Sequence, residues 1–366
     1  MKIFHCDKCD QMVYFENVFC VGCGSTLAYL PDVDDIASLE PAPDGFWQRH
    51  GNGARYRMCT NYAQHQVCNW AIPVEDPNDL CPCCQLNRVV PDLNIVGNQE
   101  AWARVEVAKR RLVYSLRKLG LPVVSKVLSP DHGIAFDFLG DVPGFASVLT
   151  GHDEGVITLN IAEADDAERE KRRLALHEPY RTVLGHFRHE IGHYYWDQLI
   201  LPDPAQLEAF RALFGDERFD YDIALQQHYQ NGVPANWQDS FITSYATAHP
   251  WEDWAETWAH YMHMADTIET AATCGLSMHP DRANEPSLEI PNDDPSQSFR
   301  TLMDSWFPLT YVLNNLNRGL GLSDGYPFVL SSPAIEKLRF VHNVIVNAKT
   351  NGVPHLTGEP HLAGAS

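Results

Sequence analysis

The sequence predicts an α+β protein in which a small metal-binding module precedes a larger domain. Three observations support this prediction: nine of the ten cysteines come before Gln85, strand-like runs occupy residues 133–161, and helical patterns dominate the remainder. We expect the module to span residues 1–90 and the larger domain residues 91–350. Residues 351–366 are expected to form a disordered tail.

Composition and charge exclude several classes of function. The formal net charge of −21 disfavours binding to nucleic acids and to anionic membranes. No apolar run approaches the length of a membrane span, and the opening residues do not form a signal peptide. We therefore expect a cytoplasmic protein. In a reducing compartment, paired cysteines are more often metal ligands than disulfides.

The first set of cysteines predicts a structural zinc site. Two pairs with the spacing Cys-x-x-Cys are separated by ten residues, and each pair in a tight turn presents two thiolates to one ion. Together they complete a tetrahedral four-cysteine site, which consists of Cys6, Cys9, Cys20 and Cys23.

A second set of cysteines predicts a second structural zinc site, formed by Cys59, Cys68, Cys81 and Cys84. Cys83 lies between the last two and could replace one of them. About 90 residues with few apolar runs need metal to fold, so both sites are interpreted as structural. The alternative is a module that also docks a partner protein or presents substrate. DNA binding is disfavoured, because acidic residues outnumber basic ones in the module.

The larger domain is expected to begin with a helix from Asn98 to Leu119, after which glycine and proline act as stop signals. Strand-like runs follow at residues 133–139, 146–150 and 155–161. These three runs predict a small antiparallel sheet.

A helix that carries the motif His-Glu-x-x-His follows the sheet. It is expected to run from about Tyr180 to Leu199, with Pro179 in its first turn. His189 and His193 lie on one helix face, so both imidazoles can reach one metal ion. Glu190 can reach a water bound to that ion. Zinc hydrolases use this arrangement to generate a hydroxide-like nucleophile near neutral pH.

A catalytic zinc site needs three protein ligands and one open position. Pro250 is expected to start a second helix, on which Glu252 and Glu256 share one face. Glu252 is the candidate third ligand, and Glu256 could accept the other ring N–H of a ligand histidine. Alternatively, both acids only favour a helix N-terminus. The surrounding tryptophans argue against that alternative, since partly buried acids need a cation.

The segment Glu-Asp-Trp-Ala-Glu after a His-Glu-x-x-His motif resembles the third-ligand helix of gluzincin-type peptidases, notably the lethal-factor-like branch. Trp251 departs from that branch, which carries a smaller residue there. Over roughly residues 1–350 the chain is similar to a bacterial family described as putative zinc-binding metallopeptidases, which joins a zinc-ribbon module to a zincin domain. The resembling stretches are Cys6–Cys23, Leu80–Leu93, Arg188–Asp197 and His249–His263.

The resemblance implies a zincin-like fold for the larger domain. It implies that Glu252 is a ligand, that Glu256 braces a ligand histidine, and that Tyr245 contacts the transition state. His249 could donate to the oxyanion in place of Tyr245. Zincins also carry an edge strand above the active-site helix that pairs with extended substrate, and Val156–Ile161 is the candidate for it.

The leading hypothesis is a zinc metallopeptidase of the gluzincin type that acts on a peptide or protein substrate, with one catalytic and two structural zinc ions. Its catalytic zinc is held by His189, His193 and Glu252. Glu190 takes a proton from the attacking water and passes it to the leaving amine. One alternative is a zincin-fold binding or regulatory protein without proteolysis, which the presence of a general base argues against. The other is a DNA-associated zinc protease, which the acidic module argues against.

Four further features lie close to the motif in sequence or in the expected fold. Gly192 is expected to allow close backbone approach, with room for an alanine. His186 is interpreted as packing or as support for a ligand, and either His260 or His263 could face the cleft. The polar loop 279–298 could lie over that cleft.

Overall fold

The computed structural model describes residues 1–141, 144, 147–175, 178–282, 284–290 and 298–353. An N-terminal module of small antiparallel sheets precedes a mainly helical domain, so the predicted α+β class is confirmed. Residues 354–366 of the predicted tail, and residues 291–297 of the predicted loop, lie outside the described residues.

A two-stranded hairpin and a five-stranded antiparallel sheet form the module. In the larger sheet each strand pairs with the next one along the chain, because short strands alternate with tight turns. The turns around the hairpin carry the first four cysteines. The elements are β1 (Phe4–His5), β2 (Met12–Val13), β3 (Thr26–Leu30), β4 (Asp35–Pro41), β5 (Trp47–Arg49), β6 (Arg55–Met58), helix α1 (Thr60–Ala63) and β7 (Ala71–Pro73).

A four-stranded sheet with the order β10-β11-β9-β8 leads to the helical domain. Its strands are β8 (Asn87–Val89), β9 (Ala135–Leu139), β10 (Gly151–Asp153) and β11 (Val156–Asn160). The sheet is mixed rather than wholly antiparallel, since β9 pairs in parallel with both β8 and β11. The expectation that Val156–Ile161 is an edge strand is wrong, because β11 lies between β9 and the true edge strand, β10.

Eight longer helices and a second hairpin complete the described part of the chain. They are α2 (Asn98–Lys118), α3 (Asp166–Ala175), α4 (Val183–Leu199), α5 (Pro204–Phe214), α6 (Tyr221–Asn231), α7 (Pro250–Thr273), β12 (Ser277–Met278), β13 (Leu288–Glu289), α8 (Phe299–Gly319) and α9 (Ser332–Asn351). Within the described ranges, no helix is long and apolar enough to cross a membrane.

Helices α4 and α7 pack closely against each other and form the centre of the larger domain. Gly192 lies at their closest approach: a Cβ built on it would come within 3.1 Å of Ala255 Cα and 3.2 Å of Trp258 Cβ. An alanine there would need these neighbouring atoms to move by a few tenths of an ångström. The backbone carbonyl of Gly192 accepts a hydrogen bond of 2.8 Å from the indole N–H of Trp254, which further fixes the crossing of the two helices.

The module docks on the larger domain through β8 and α2. Although β8 falls within the expected limits of the module, it pairs with β9 of the following domain. Fully buried Lys109 on α2 donates hydrogen bonds to Asn87 and Glu106. Arg110 donates to the carbonyl oxygen of Val67 in the module. Buried charges thus join the two parts, and each has an opposite charge or a hydrogen-bond partner.

Candidate metal centre

Helix α4 presents the three residues of the His-Glu-x-x-His motif on one side. The helix begins at Val183, where the Thr182 side chain accepts a hydrogen bond from the Gly185 N–H, and not around Pro179 as expected. The Nε2 atoms of His189 and His193 lie 3.2 Å apart. This spacing is the one that a four-residue separation on a helix produces.

Helix α7 brings two carboxylates to these histidines. Glu252 Oε2 lies 2.9 Å from His189 Nε2 and 3.7 Å from His193 Nε2. Glu256, one turn further on, lies 2.6 Å from the other ring nitrogen of His189. The structure therefore brings both acids next to His189, although they follow it by more than 60 residues in the chain.

The three converging atoms fit one divalent cation. Ligands at about 2.0–2.2 Å from a tetrahedral zinc ion are separated by about 3.3–3.6 Å, and the three atoms here are 2.9–3.7 Å apart. Glu252 is 1% exposed, and its Oε2 lies against the Nε2 atoms of both histidines without hydrogen-bond geometry to either. A buried carboxylate in this position needs a positive charge beside it, which a bound metal cation would supply.

The electrostatic environment of His189 also favours a bound cation. Burial lowers the pKa of His189, but the adjacent carboxylates of Glu252 and Glu256 outweigh that effect and raise it well above its usual value. The ring therefore lies in a strongly negative environment that stabilises positive charge. A metal ion at Nε2 would take the place of the proton, with Glu256 holding the Nδ1–H.

A cluster of tyrosines surrounds the ligand carboxylate. The hydroxyl of Tyr221 donates a hydrogen bond of 2.5 Å to Glu252 Oε1. Tyr245 lies with its ring centroid 6.0 Å from that of His189, and its hydroxyl lies close to those of Tyr221 and Tyr229. Burial, together with the charge of Glu252, raises the pKa of Tyr245. This phenol is therefore a neutral donor beside the site.

The structure assigns His249 a different role from the one expected. Its Nδ1 accepts a hydrogen bond of 3.1 Å from the N–H of Trp251 and so caps α7, while its Nε2 lies 3.0 Å from the carbonyl oxygen of Phe219. Both ring nitrogens are used, so His249 cannot donate to an oxyanion. The candidate donor that remains is Tyr245.

His260 and His263 lie in the aromatic packing behind the site, and not in its group of ligands. His260 Nδ1 is 2.7 Å from the hydroxyl of Tyr326, and its ring packs against Phe328 at 4.4 Å between centroids. Tyr180 lies beside the ring of His263. Both histidines therefore serve in packing.

The edge strand is tied to α4 by a buried ion cluster. Glu163, which is 1% exposed, pairs with His186 at 2.5 Å and accepts a hydrogen bond of 3.0 Å from Thr150, just before β10. Burial would raise the pKa of Glu163, but His186 and Arg181 bring it down to about 2. On β10 itself, the ring of His152 stacks on His193 at 6.2 Å. The cluster therefore positions an open strand edge beside the candidate ligands.

The N-terminal cysteines form two further candidate metal sites. In the first, the sulfurs of Cys6 and Cys23 are 3.7 Å apart and those of Cys9 and Cys20 are 3.6 Å apart. Four sulfurs at about 2.3 Å from a tetrahedral zinc ion lie about 3.8 Å from each other, which fits, whereas a disulfide needs about 2.05 Å. The second group consists of Cys59, Cys68, Cys81 and Cys84, all buried. It includes Cys84 and leaves out the neighbouring Cys83.

Comparisons with known proteins agree with this two-part arrangement. Residues 98–344 match the family model described as "putative zinc-binding metallo-peptidase", and residues 3–95 match a zinc-ribbon domain. Proteins of Mycobacterium bovis and of two Mycobacterium tuberculosis strains, each described as uncharacterized, are 46% identical over 346 residues. The matched regions cover 94% of this chain and 95% of each relative. No solved structure matches the chain significantly.

Proposed function

Since the chain belongs to the family described as putative zinc-binding metallo-peptidases, we propose that it hydrolyses peptide bonds by a zinc-dependent mechanism of the gluzincin type. The observation that carries this proposal is the convergence of two imidazole nitrogens and a buried carboxylate oxygen, all within 3.7 Å of one another, with the potential base Glu190 next to His189 in the chain. A purely structural metal site needs ligands but no base.

His189, His193 and Glu252 would hold the zinc ion. When bound, the ion would lower the pKa of a coordinated water to about 7 and polarise the carbonyl of the scissile bond. Glu256 would keep the Nδ1–H of His189 in place, so that Nε2 faces the ion. Tyr221 would orient the carboxylate of Glu252 through its hydrogen bond to Oε1.

Glu190 would act as general base and then as general acid. It follows His189 directly on α4, and it is 9% exposed, so its carboxylate lies at the edge of the site and not in bulk solvent. It would accept a proton from the attacking water and deliver that proton to the leaving amine. The hydroxyl of Tyr245 would donate a hydrogen bond to the carbonyl oxygen as negative charge develops on it.

The cysteine groups would each hold one structural zinc ion. The sulfur separations of 3.6–3.8 Å support this assignment, as does the match to a zinc-ribbon domain. These sites are closed by four thiolates and leave no position for a substrate.

The test of the proposed function compares the wild-type chain with Glu190→Gln on a peptide library, with zinc measured in both. The variant keeps all ligands, so its zinc content should stay the same while cleavage falls by roughly 10²- to 10⁴-fold. Glu208→Gln, at an exposed position on α5, is the matched control and should cleave like the wild type. Equal cleavage by wild type and Glu190→Gln would remove Glu190 as the base. Absence of cleavage in both would favour a binding protein.

A further inference from the structure

A cavity of about 500 Å³ lies beside the candidate metal centre. Its lining consists of four aromatic side chains, one leucine, two carboxylates and one guanidinium; these are Trp196, Phe219, Tyr221, Trp251, Leu201, Asp197, Glu217 and Arg218. The cavity shares a wall with the metal centre, because Tyr221 both lines it and donates a hydrogen bond to Glu252 Oε1. Asp197 stands one helical turn beyond His193 on α4, so the cavity continues the face that carries the ligands.

The carboxylate of Asp197 differs from the other charged groups at this cavity because it has no ion-pair partner within the ranges that the structure describes. Glu217 pairs with Arg211 at 2.9 Å, and Arg218 pairs with Asp216 at 2.6 Å. Among the described residues, Asp197 has neither a hydrogen-bond partner nor an ion-pair partner. The cavity therefore carries one carboxylate without a direct counter-ion in the described ranges, and the proximity of Asp197 to His193 partly offsets the effect of burial on its pKa.

Two of the aromatic walls of the cavity contain a buried polar group without a partner among the residues described. The indole N–H groups of Trp196 and Trp251 are buried, and neither has a hydrogen-bond partner in the described part of the chain. Burial in this environment raises the pKa of Asp197 to about 6. Aromatic faces beside a carboxylate form a favourable environment for a cation, which gains from both the ring electrons and the negative charge.

We propose that this cavity receives a cationic group of the substrate, with Asp197 as its counter-ion and the aromatic residues as its walls. The inference rests on the proposed function and narrows the substrate class to peptides that carry an ammonium or guanidinium group close to the scissile bond. Two sources share this chemistry: a lysine or arginine side chain, and the free α-amine of a peptide.

The first test measures binding without cleavage. Zinc-loaded Glu190→Gln protein is titrated with peptide pairs that differ only in lysine against norleucine, each with a free or an acetylated N-terminus. We expect the cationic member to bind roughly 10- to 100-fold more tightly. Preference for lysine identifies the side chain as the cation, and preference for the free terminus identifies the α-amine. Equal affinity for all four peptides would overturn the proposal.

The second test adds Asp197→Asn, which keeps the shape of the side chain and removes its charge. The preference for the cationic peptide should disappear, while zinc content and affinity for the neutral peptide should stay within twofold. Glu208→Gln removes one exposed acid from the neighbouring helix and should leave the preference intact. Loss of zinc in Asp197→Asn would show instead that Asp197 supports His193, and would overturn the proposal.

The two proposals fail in different ways. If the wild-type chain cleaves peptides and its kcat/KM does not distinguish lysine from norleucine, the cationic cavity is wrong and the peptidase assignment stands. If Glu190→Gln prefers the cationic peptide but the wild type cleaves none, the cavity stands as a binding site and the peptidase assignment is wrong.

Discussion

Replacing Gly192 with alanine tests whether the crossing of α4 and α7 sets the geometry of the metal centre. The added Cβ would lie 3.1 Å from Ala255 Cα and 3.2 Å from Trp258 Cβ, where ordinary contacts begin at 3.4 Å. The atoms of α7 that contact this Cβ must therefore move away from α4 by a few tenths of an ångström. Two candidate ligands lie on α4 and the third on α7, so this movement changes the distances between them.

We expect Gly192→Ala to have a small effect on the free energy of unfolding and a larger effect on zinc affinity. Overpacking costs about 1–3 kcal/mol, and the gain in helix propensity from glycine to alanine offsets about 1 kcal/mol of it. The net loss of unfolding free energy is therefore about 0–2 kcal/mol. Ligand distances tolerate only about 0.2 Å of error, so the affinity of the His–His–Glu site for zinc should fall by roughly tenfold or more.

The assay is chelator competition for zinc, with a thiol reagent that reports the cysteine sites separately, alongside thermal unfolding. Gly319→Ala on α8 is the matched control, because a Cβ there meets nothing within 4 Å. It should keep zinc affinity and raise the midpoint of unfolding slightly. The reasoning is refuted if Gly192→Ala binds zinc as tightly as the wild type and gains the same stability as the control.

Three further predictions follow from buried contacts. Tyr221→Phe removes the hydrogen bond to Glu252 Oε1 and should weaken zinc binding by roughly 10- to 100-fold in the same titration; an unchanged affinity would mean that the tyrosine does not orient the ligand. In the wild type, the Lys337 ammonium lies 2.6 Å from the buried carboxylate of Asp253. Lys337→Met removes this partner and should lower the free energy of unfolding, measured in urea, by about 3–5 kcal/mol. Glu163 has a pKa of about 2 in the folded chain, below its value of about 4.3 when unfolded, so its charge stabilises the fold above that range and the benefit is lost as pH falls through it. The free energy of unfolding of the wild type should therefore exceed that of Glu163→Gln by up to about 3 kcal/mol at pH 7. If this difference does not become smaller between pH 5 and pH 2, the lowered pKa of Glu163 is contradicted.

Local spacing in the sequence predicted the parts of the site that lie on single helices. The separation of four residues between His189 and His193, and between Glu252 and Glu256, decides which side chains share a face. The two Cys-x-x-Cys pairs of the first cysteine group follow the same logic, because a tight turn brings their sulfurs together. The pairing of α4 with α7 required chemical reasoning about ligand number, and the structure brings those helices together.

Contacts between distant elements could not be predicted in the same way. Tyr221 reaches Glu252 from α6, a helix that carries no motif, and no spacing links the two residues. Strand β10 has three residues, too few for an alternating pattern, so the sequence contains no signal that marks it as the edge. His249 caps α7 instead of donating to an oxyanion, and its place just before Pro250 is the signal in the sequence for that role.

The position of the second cysteine group explains why the module and the larger domain are joined by buried charge. If Cys59, Cys68, Cys81 and Cys84 hold zinc as we propose, four thiolates and one Zn²⁺ leave a net charge of about −2 in the interior. Helix α2 places two buried cations, Lys109 and Arg110, against this group, and the nearby Cys68, Glu106, Cys83 and Cys84 raise the pKa of Arg110 despite its burial. With protonated thiols and no metal, Glu106 alone would remain to balance both cations, and buried charge without compensation is costly. Zinc in the module would therefore stabilise α2 in its docked position, and because α2 also packs on α4, this cysteine site would support the helix that carries His189 and His193.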